Sequence, residues 1–316
     1  MNIVFLDAGT VGNDVDSQKF SALGNLCVYS ATSKEQISER IKNADVIITN
    51  KCKLTEELLL SAHHLKLICV TATGFDNIDL NYAKESGIAV CNVKGYSTDS
   101  VAQVTVSMAM SLFSNLSFFD KYCKNGSYTS SGVQNKLEPV FYEMTGKTWG
   151  IYGFGNIGQR VAKIAEALGC KILVCKRQKV PEYECVSLEE LFEKSDIISV
   201  HTPLNAQTHC SINKKVLDKA KKNLVLVNAA RGAVLDEEAV AQAVISGRIA
   251  AFGTDVYSAE PFDKNSPYSR LCNLDNVILT PHMAWGAYEA RVRLIDEVYE
   301  NIKAFYEGKA RNRVDL

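Results

Sequence analysis

Short β-branched runs alternate with helix-like segments along the whole chain, and this alternation constrains the fold more than any other feature. The runs at 2–7 (NIVFLD), 25–30 (NLCVYS), 45–49 (DVIIT), 65–70 (LKLICV) and 88–92 (IAVCN) read as strands. Between them, SKEQ at 33–36 is a capping box led by Ser33, and DLNYAKESG at 79–87 starts on Asp79 and stops on Gly87, the usual helix punctuation. A strand followed by a helix and another strand is joined by a crossover, so the sheet is expected to be parallel.

A second alternation begins near 148. Its strands are expected at 148–152, 171–175, 196–200, 224–228, 249–254 and 277–280, with helices at 156–168, 213–220 and 236–246. Between the two series lies 98–124, a sparsely charged stretch that reads as one long helix able to bridge two domains, followed by an irregular 126–146. The final helical pattern, 287–307, is expected to return to the first series. A chain of 316 residues suits two domains, here 1–98 plus 288–316 flanking 99–287.

Composition narrows the partners. A net charge of −1 gives no electrostatic reason to expect nucleic acid or an anionic membrane. No apolar run approaches the roughly 18 residues of a membrane span. Ten cysteines include no Cys-x-x-Cys pair, and Cys69 and Cys91 fall inside apolar runs. They read as small hydrophobes in a reducing compartment, with no metal site. The first residues read as a strand without a basic leader, so a cytoplasmic protein is expected.

Within the second series, GFGNIG follows a strand and precedes the amphipathic QRVAKIAEALG. Gly153 suits a tight turn, Gly155 leaves bare backbone for a pyrophosphate, and Gly158 allows close helix–strand packing. Asn156 and Ile157 complete this phosphate-binding set at the helix N-terminus. An acid that would hold an adenosine ribose is normally found about 20 residues on. Here LVCKRQ offers Lys176 and Arg177 instead. They read either as a solvated strand end or as a cationic pocket for a 2′-phosphate. NADP(H) is favoured, with NAD(H) as the alternative.

Three later stretches, VNAARGAVLD (227–236), GTDVYSAEP (253–261) and ILTPHMAWGA (278–287), each follow an expected strand. They would bring Arg231, Glu260 and His282 to the carboxyl end of one sheet, where ligands of such sheets bind. Hydride transfer to a ketone leaves an alkoxide that needs a proton, a task suited to His. A carboxylate on the other ring nitrogen fixes the tautomer and favours the imidazolium that reduction needs. An Arg clamps a substrate carboxylate and polarises the carbonyl. Singly, each has a plain alternative: a loop cap, a surface acid, a satisfied loop histidine. Jointly, behind a nucleotide turn, they read as catalytic. His63, His64, His201 and His209 read as capping, solvated or structural, and Trp285 as either shaping the substrate pocket or packing.

These residues, with TATGFDNIDL (71–80), GIAVCNVKGYSTDSVAQ (87–103) and TPHMAWGAYEAR (280–291), make the whole chain resemble the D-isomer-specific 2-hydroxyacid dehydrogenase family, most of all its glycerate dehydrogenase/hydroxypyruvate reductase branch. The resemblance implies an α/β fold in which a Rossmann-type doubly wound cofactor domain is inserted in a flavodoxin-like substrate domain. It implies that backbone around Thr73 and Gly74 meets the substrate carboxylate and that Asp255 contacts the nicotinamide carboxamide. It also implies that Thr202, Pro203 and Thr208 line the cofactor, with Ala229 on the same side and Thr105 near its phosphates. The 99–124 region, with Met108, Met110, Phe113, Phe118 and Phe119, is more apolar than a solvent-facing helix needs; core packing alone would explain this, while the resemblance implies a homodimer through the region.

The expected reaction is reduction of hydroxypyruvate or glyoxylate to D-glycerate or glycolate. A larger 2-oxo acid is the second enzymatic reading. Formate and phosphite chemistry is disfavoured by Glu260 and Thr73, where those relatives carry Gln and Lys. A nucleotide-sensing binding protein is the reading from another class, and no basic tail or extended arm supports it.

Overall fold

The computed structural model describes residues 1–316 and forms two compact units, Met1–Ser97 with Gly286–Leu316, and Thr98–Trp285. In the first unit β1 (Asn2–Phe5), β2 (Asn25–Val28), β3 (Val46–Thr49), β4 (Leu67–Val70) and β5 (Ala89–Cys91) build an all-parallel sheet in the order β2-β1-β3-β4-β5. That is the flavodoxin-like order. Strands β3, β4 and β5 are buried along their whole length, as parallel strands covered on both faces should be. The Ser33 capping box forms, and Asp79 accepts the Tyr82 N–H at 3.1 Å. The C-terminal helix Tyr288–Tyr306 buries Leu294, Ile295, Val298 and Ile302 and packs on β4. Beyond it, Asp315 accepts the Val90 N–H at 2.8 Å, tying the chain end into the sheet.

The second unit holds β6 (Thr148–Tyr152), β7 (Lys171–Cys175), β8 (Glu184–Cys185), β9 (Ile197–Val200), β10 (Val225–Asn228), β11 (Ala251–Thr254) and β12 (Val277–Leu279), all parallel. Their order is β12-β11-β10-β9-β6-β7-β8. This is the doubly wound 3-2-1-4-5-6 arrangement with one further strand. The sheet grows outward from β6 through β7 and β8, then restarts on the other side of β6 with β9. The switch point therefore lies between β6 and β9, and the crevice beyond their carboxyl ends is where such sheets take ligands.

Two expectations are corrected. The stretch 98–124 is two helices, Thr98–Phe113 and Leu116–Lys124, bent by 66°, both within the second unit. Asn115 sits between them in the left-handed region (φ 52), which Asn tolerates better than most residues, and its amide donates to the Val140 carbonyl at 3.0 Å. The apolar composition of the first helix is explained by its own core: Met108, Leu112 and Phe113 pack with Trp149, Val225 and Ala251. Met110 is exposed, and Phe118 and Phe119 are half-buried, edge to face at 5.4 Å. Further short elements lay below the reach of periodicity: the two-residue β8, the helices Glu56–Leu59 and Ser127–Ser131, the latter inside the stretch read as irregular, and the Leu188–Lys194 helix with its Ser187–Glu190 capping box. No single helix is long and apolar enough to cross a membrane. All ten cysteines are free.

Candidate active site

The glycine turn lies beyond β6, beside the switch point, and its three glycines are required for different reasons. Gly153 has φ +94, and a Cβ there would meet the Thr202 nitrogen at 2.5 Å. A Cβ on Gly158 would meet the Gly153 carbonyl oxygen at 2.3 Å, so these two glycines let turn, helix and neighbouring strand close on each other. Gly155 has ordinary extended backbone, and a Cβ there would meet nothing within 4 Å. Nothing within the chain requires glycine at that position, and the space beside it suits close approach of a ligand to bare backbone. Gly155 caps the Asn156–Ala167 helix without a side-chain hydrogen bond, so the first N–H groups, at Asn156, Ile157 and Gly158, face outward as an anion site.

Around this turn, Thr202 is buried directly beyond β9. Pro203 and Thr208 belong to a tight loop that the Thr208 hydroxyl closes on itself, donating to the Pro203 carbonyl at 2.6 Å and accepting the Asn205 N–H at 2.9 Å. Thr105, on the Thr98–Phe113 helix, is fully buried, and its hydroxyl has no partner. A buried hydroxyl without a partner is costly in a finished core, so this atom, like Gly155, fits a site completed by a bound molecule. Lys176 and Arg177 stand at the end of β7 and diverge: Lys176 Nζ donates to the Phe154 carbonyl at 3.3 Å, and Arg177 Nη1 to Gln207 Oε1 at 3.4 Å. No three His, Cys, Asp or Glu side chains are grouped to hold a metal.

The loops after β10, β11 and β12 leave three adjacent strands on one side of the switch point. His282 and Glu260 meet there, with Nδ1 at 2.6 Å from Oε2, both about one-third exposed. The other Glu260 oxygen accepts the Tyr257 N–H at 3.0 Å. His282 has φ 52, a conformation costly for a non-glycine residue, and Asp255 holds it there. The Asp255 carboxylate, 1 % exposed, accepts from the Thr280 hydroxyl at 2.6 Å, the Met283 N–H at 2.9 Å and the Ala284 N–H at 2.8 Å. Three of its roughly four acceptor positions are therefore occupied by the histidine loop. Tyr257 braces the same loop, donating to the Thr280 carbonyl at 2.8 Å. Burial, then the Asp255 and Glu260 carboxylates, push its phenol up to about 12, so it remains a donor at any ordinary pH. Sequence reasoning missed Tyr257, although it stands inside GTDVYSAEP.

Arg231 is bonded to neither Glu260 nor His282. Its guanidinium is exposed and donates to the Ala230 carbonyl at 2.8 Å. Its loop is nevertheless locked against that of Glu260, because Gly232 packs so closely on the Tyr257–Ser258 backbone that a Cβ would lie 2.0 Å from the Tyr257 carbonyl carbon. Ala229 is the first, half-buried residue beyond β10, and Trp285 is half-buried at the end of the histidine loop. In the first unit, Thr73 and Gly74 lie beyond the carboxyl end of β4. The Thr73 hydroxyl donates to the Val93 carbonyl at 2.8 Å, and its own carbonyl accepts from the Asn92 amide at 2.7 Å. Gly74 is exposed.

A glycine turn feeding an uncapped helix, with a histidine–carboxylate pair at the carboxyl edge of the same parallel sheet, is the equipment of a nucleotide-dependent oxidoreductase. Residues 106–284 match the family model described as D-isomer specific 2-hydroxyacid dehydrogenase, NAD binding domain. Over 324 aligned residues covering all of both chains, the protein is 35% identical to a hydroxypyruvate reductase of Blautia hydrogenotrophica. An acyclic imino acid reductase solved with NADPH and D-arginine superposes with a TM-score of 0.87 at 30% identity, covering 99% of this chain and 100% of that one. The D-lactate dehydrogenase of Aquifex aeolicus, solved with NAD and lactic acid, gives 0.86 at 32% identity, covering 100% and 99%. The chain belongs to the D-isomer specific 2-hydroxyacid dehydrogenase family.

Proposed function

We propose that the protein reduces a small 2-oxo acid, hydroxypyruvate or glyoxylate, to D-glycerate or glycolate. The observation that carries this reading is the 2.6 Å His282–Glu260 pair, next to the loop that carries Arg231. A bound nicotinamide dinucleotide would supply the hydride; the glycine turn, Thr105, Thr202, Pro203, Thr208 and Ala229 would hold it. With Nδ1–H donating to Glu260, the His282 imidazolium gives its Nε2 proton to the substrate oxygen and is left as the neutral Nδ1–H tautomer that Glu260 holds. Arg231 binds the substrate carboxylate and withdraws charge from the carbonyl. Trp285 bounds the substrate side chain. Asp255 serves first by fixing the histidine loop, and its remaining acceptor position is offered to the carboxamide.

Lys176 and Arg177 support NADP(H) over NAD(H), since no acid stands at the end of β7 to hold a ribose diol or repel a 2′-phosphate. The name of the Blautia relative supports the hydroxypyruvate assignment. A homodimer in the cytoplasm completes the proposal, supported by the exposed apolar side chains of Leu116, Val133, Leu137, Val140 and Phe141 in the second unit. The test is steady-state oxidation of NADPH and NADH with hydroxypyruvate, glyoxylate and pyruvate. Turnover is expected with hydroxypyruvate or glyoxylate, and faster with NADPH at equal concentration. No turnover with any of the three would overturn the reading. A preference for branched or aromatic 2-oxo acids would replace the substrate and keep the chemistry.

A further inference from the structure

The Tyr257–Ser258 peptide is held at two points by the segment that carries Arg231. Gly232 lies against it: a Cβ there would be 2.0 Å from the Tyr257 carbonyl carbon and 2.3 Å from the Ser258 nitrogen. At the far end of the same segment, Glu237 Oε1 accepts the Ser258 N–H at 2.7 Å. The preceding N–H, that of Tyr257, goes to Glu260 Oε1 at 3.0 Å. Two successive backbone donors are thus taken by two carboxylates, and the second oxygen of Glu260 is the one that meets His282.

Glu237 is available for this contact because its own helix is supplied by its neighbours. The Glu237–Ile245 helix is capped by Asp236, whose carboxylate accepts the Ala239 N–H at 3.1 Å. Glu238, next in the first turn, pairs with Arg270 at 2.6 Å and accepts from the Gln242 amide at 3.1 Å. One acid in a first turn already complements the helix dipole, and Glu238 meets that demand. Glu237 instead reaches across to another loop, from a firm base: the Asp236 N–H donates to the Ile212 carbonyl at 2.9 Å. A carboxylate on a backbone N–H is a charge-assisted bond, stronger than its neutral counterpart.

We propose that Glu237 is a positioning residue for the proton-transfer pair and for Arg231. Its carboxylate and Gly232 clasp the Tyr257–Ser258 peptide, so the loop with Arg231 and the loop with Glu260 keep one spacing. Glu237 touches neither substrate nor cofactor and acts only through that peptide. The proposal rests on the roles given above to Arg231, Glu260 and His282.

Glu237→Ala, Glu237→Gln and Glu238→Ala, made in the full chain, test it by two measurements. The first needs no turnover: the far-downfield proton resonance of the His282 Nδ1–H, identified by its loss in His282→Ala. It should be present in the wild type, lost or broadened in Glu237→Ala, and kept in Glu237→Gln, whose amide oxygen still accepts the Ser258 N–H. The second is steady-state reduction of hydroxypyruvate. Glu237→Ala should lower kcat by about tenfold to a hundredfold, the scale of a small misplacement of reacting groups, with KM for the nucleotide unchanged. Glu237→Gln should recover most of that loss, and Glu238→Ala should match the wild type in both measurements. If Glu238→Ala loses as much as Glu237→Ala, the two acids serve only their helix and the proposal fails. It fails equally if Glu237→Ala keeps both the resonance and kcat, and wild-type turnover then leaves the functional reading standing. A wild type that turns over no 2-oxo acid overturns the functional reading, and loss of the resonance in Glu237→Ala alone still establishes the clasp.

Discussion

His201 shows how far a single residue can be committed by its position. It follows β9 immediately, its N–H donates to the Tyr152 carbonyl at 2.7 Å, and both ring nitrogens are buried without partners. Burial pushes its imidazole down to about 3 from an ordinary 6.5, because the charged ring has lost water and gained no acceptor. The unfolded chain therefore takes up a proton below about pH 6.5, and the folded chain takes none until about pH 3. Stability from this group is complete above pH 6.5 and falls with decreasing pH, by up to about 1.4 kcal/mol per unit. Urea unfolding of the wild type and His201→Leu, measured between pH 6.5 and 4.5, should show a steeper acid loss in the wild type by about one proton. Parallel pH dependences would contradict the assignment. The sequence placed His201 at a strand end. It could not show that both nitrogens lack partners, which depends on side chains far away in the chain.

At the scale of elements, the parallel strands were readable because β-branched runs buried on both faces leave a continuous apolar record, and GFGNIG was readable because its chemistry is local. What escaped the sequence was set by tertiary geometry or by lengths too short to show a period. The two-residue β8 and the Leu188–Lys194 helix are of the second kind. The bend at Asn115 is of the first: the flanking composition stays apolar, and only the Val140 carbonyl that receives the Asn115 amide reveals the break. Asn115→Val should lower stability by about 2 kcal/mol, combining left-handed strain with a lost hydrogen bond. Asn115→Gly should cost less than half as much, since glycine accepts that backbone freely. Denaturant midpoints decide it, and equal losses would mean that backbone strain is not what the position controls. The candidate site divides in the same way. Arg231, Glu260 and His282 were legible as strand-end residues of suitable chemistry. The bracing of the histidine loop by Asp255 and Tyr257 was not, because it needs the 255 and 280–284 segments in register.

For the whole molecule, the family assignment and the two sheet orders establish a dehydrogenase scaffold, and two proposals extend it. The first concerns assembly. Leu137 is 71% exposed and Val140 62%, more apolar surface in one segment than a monomer usually leaves open. Light scattering at micromolar concentration should give twice the chain mass of 34.8 kDa, and Leu137→Asp with Val140→Asp should shift it toward one chain; a wild-type monomer would contradict the proposal.

The second is the central one, that the His282–Glu260 pair delivers the proton in reduction of a small 2-oxo acid. The direct measurement is kcat for hydroxypyruvate reduction by the wild type and His282→Ala, each with saturating NADPH and NADH. The account predicts wild-type turnover and a loss in the variant of about 10²–10⁴, with nucleotide binding retained. Full activity in His282→Ala, or a wild type that binds nucleotide and turns over no 2-oxo acid, would contradict it.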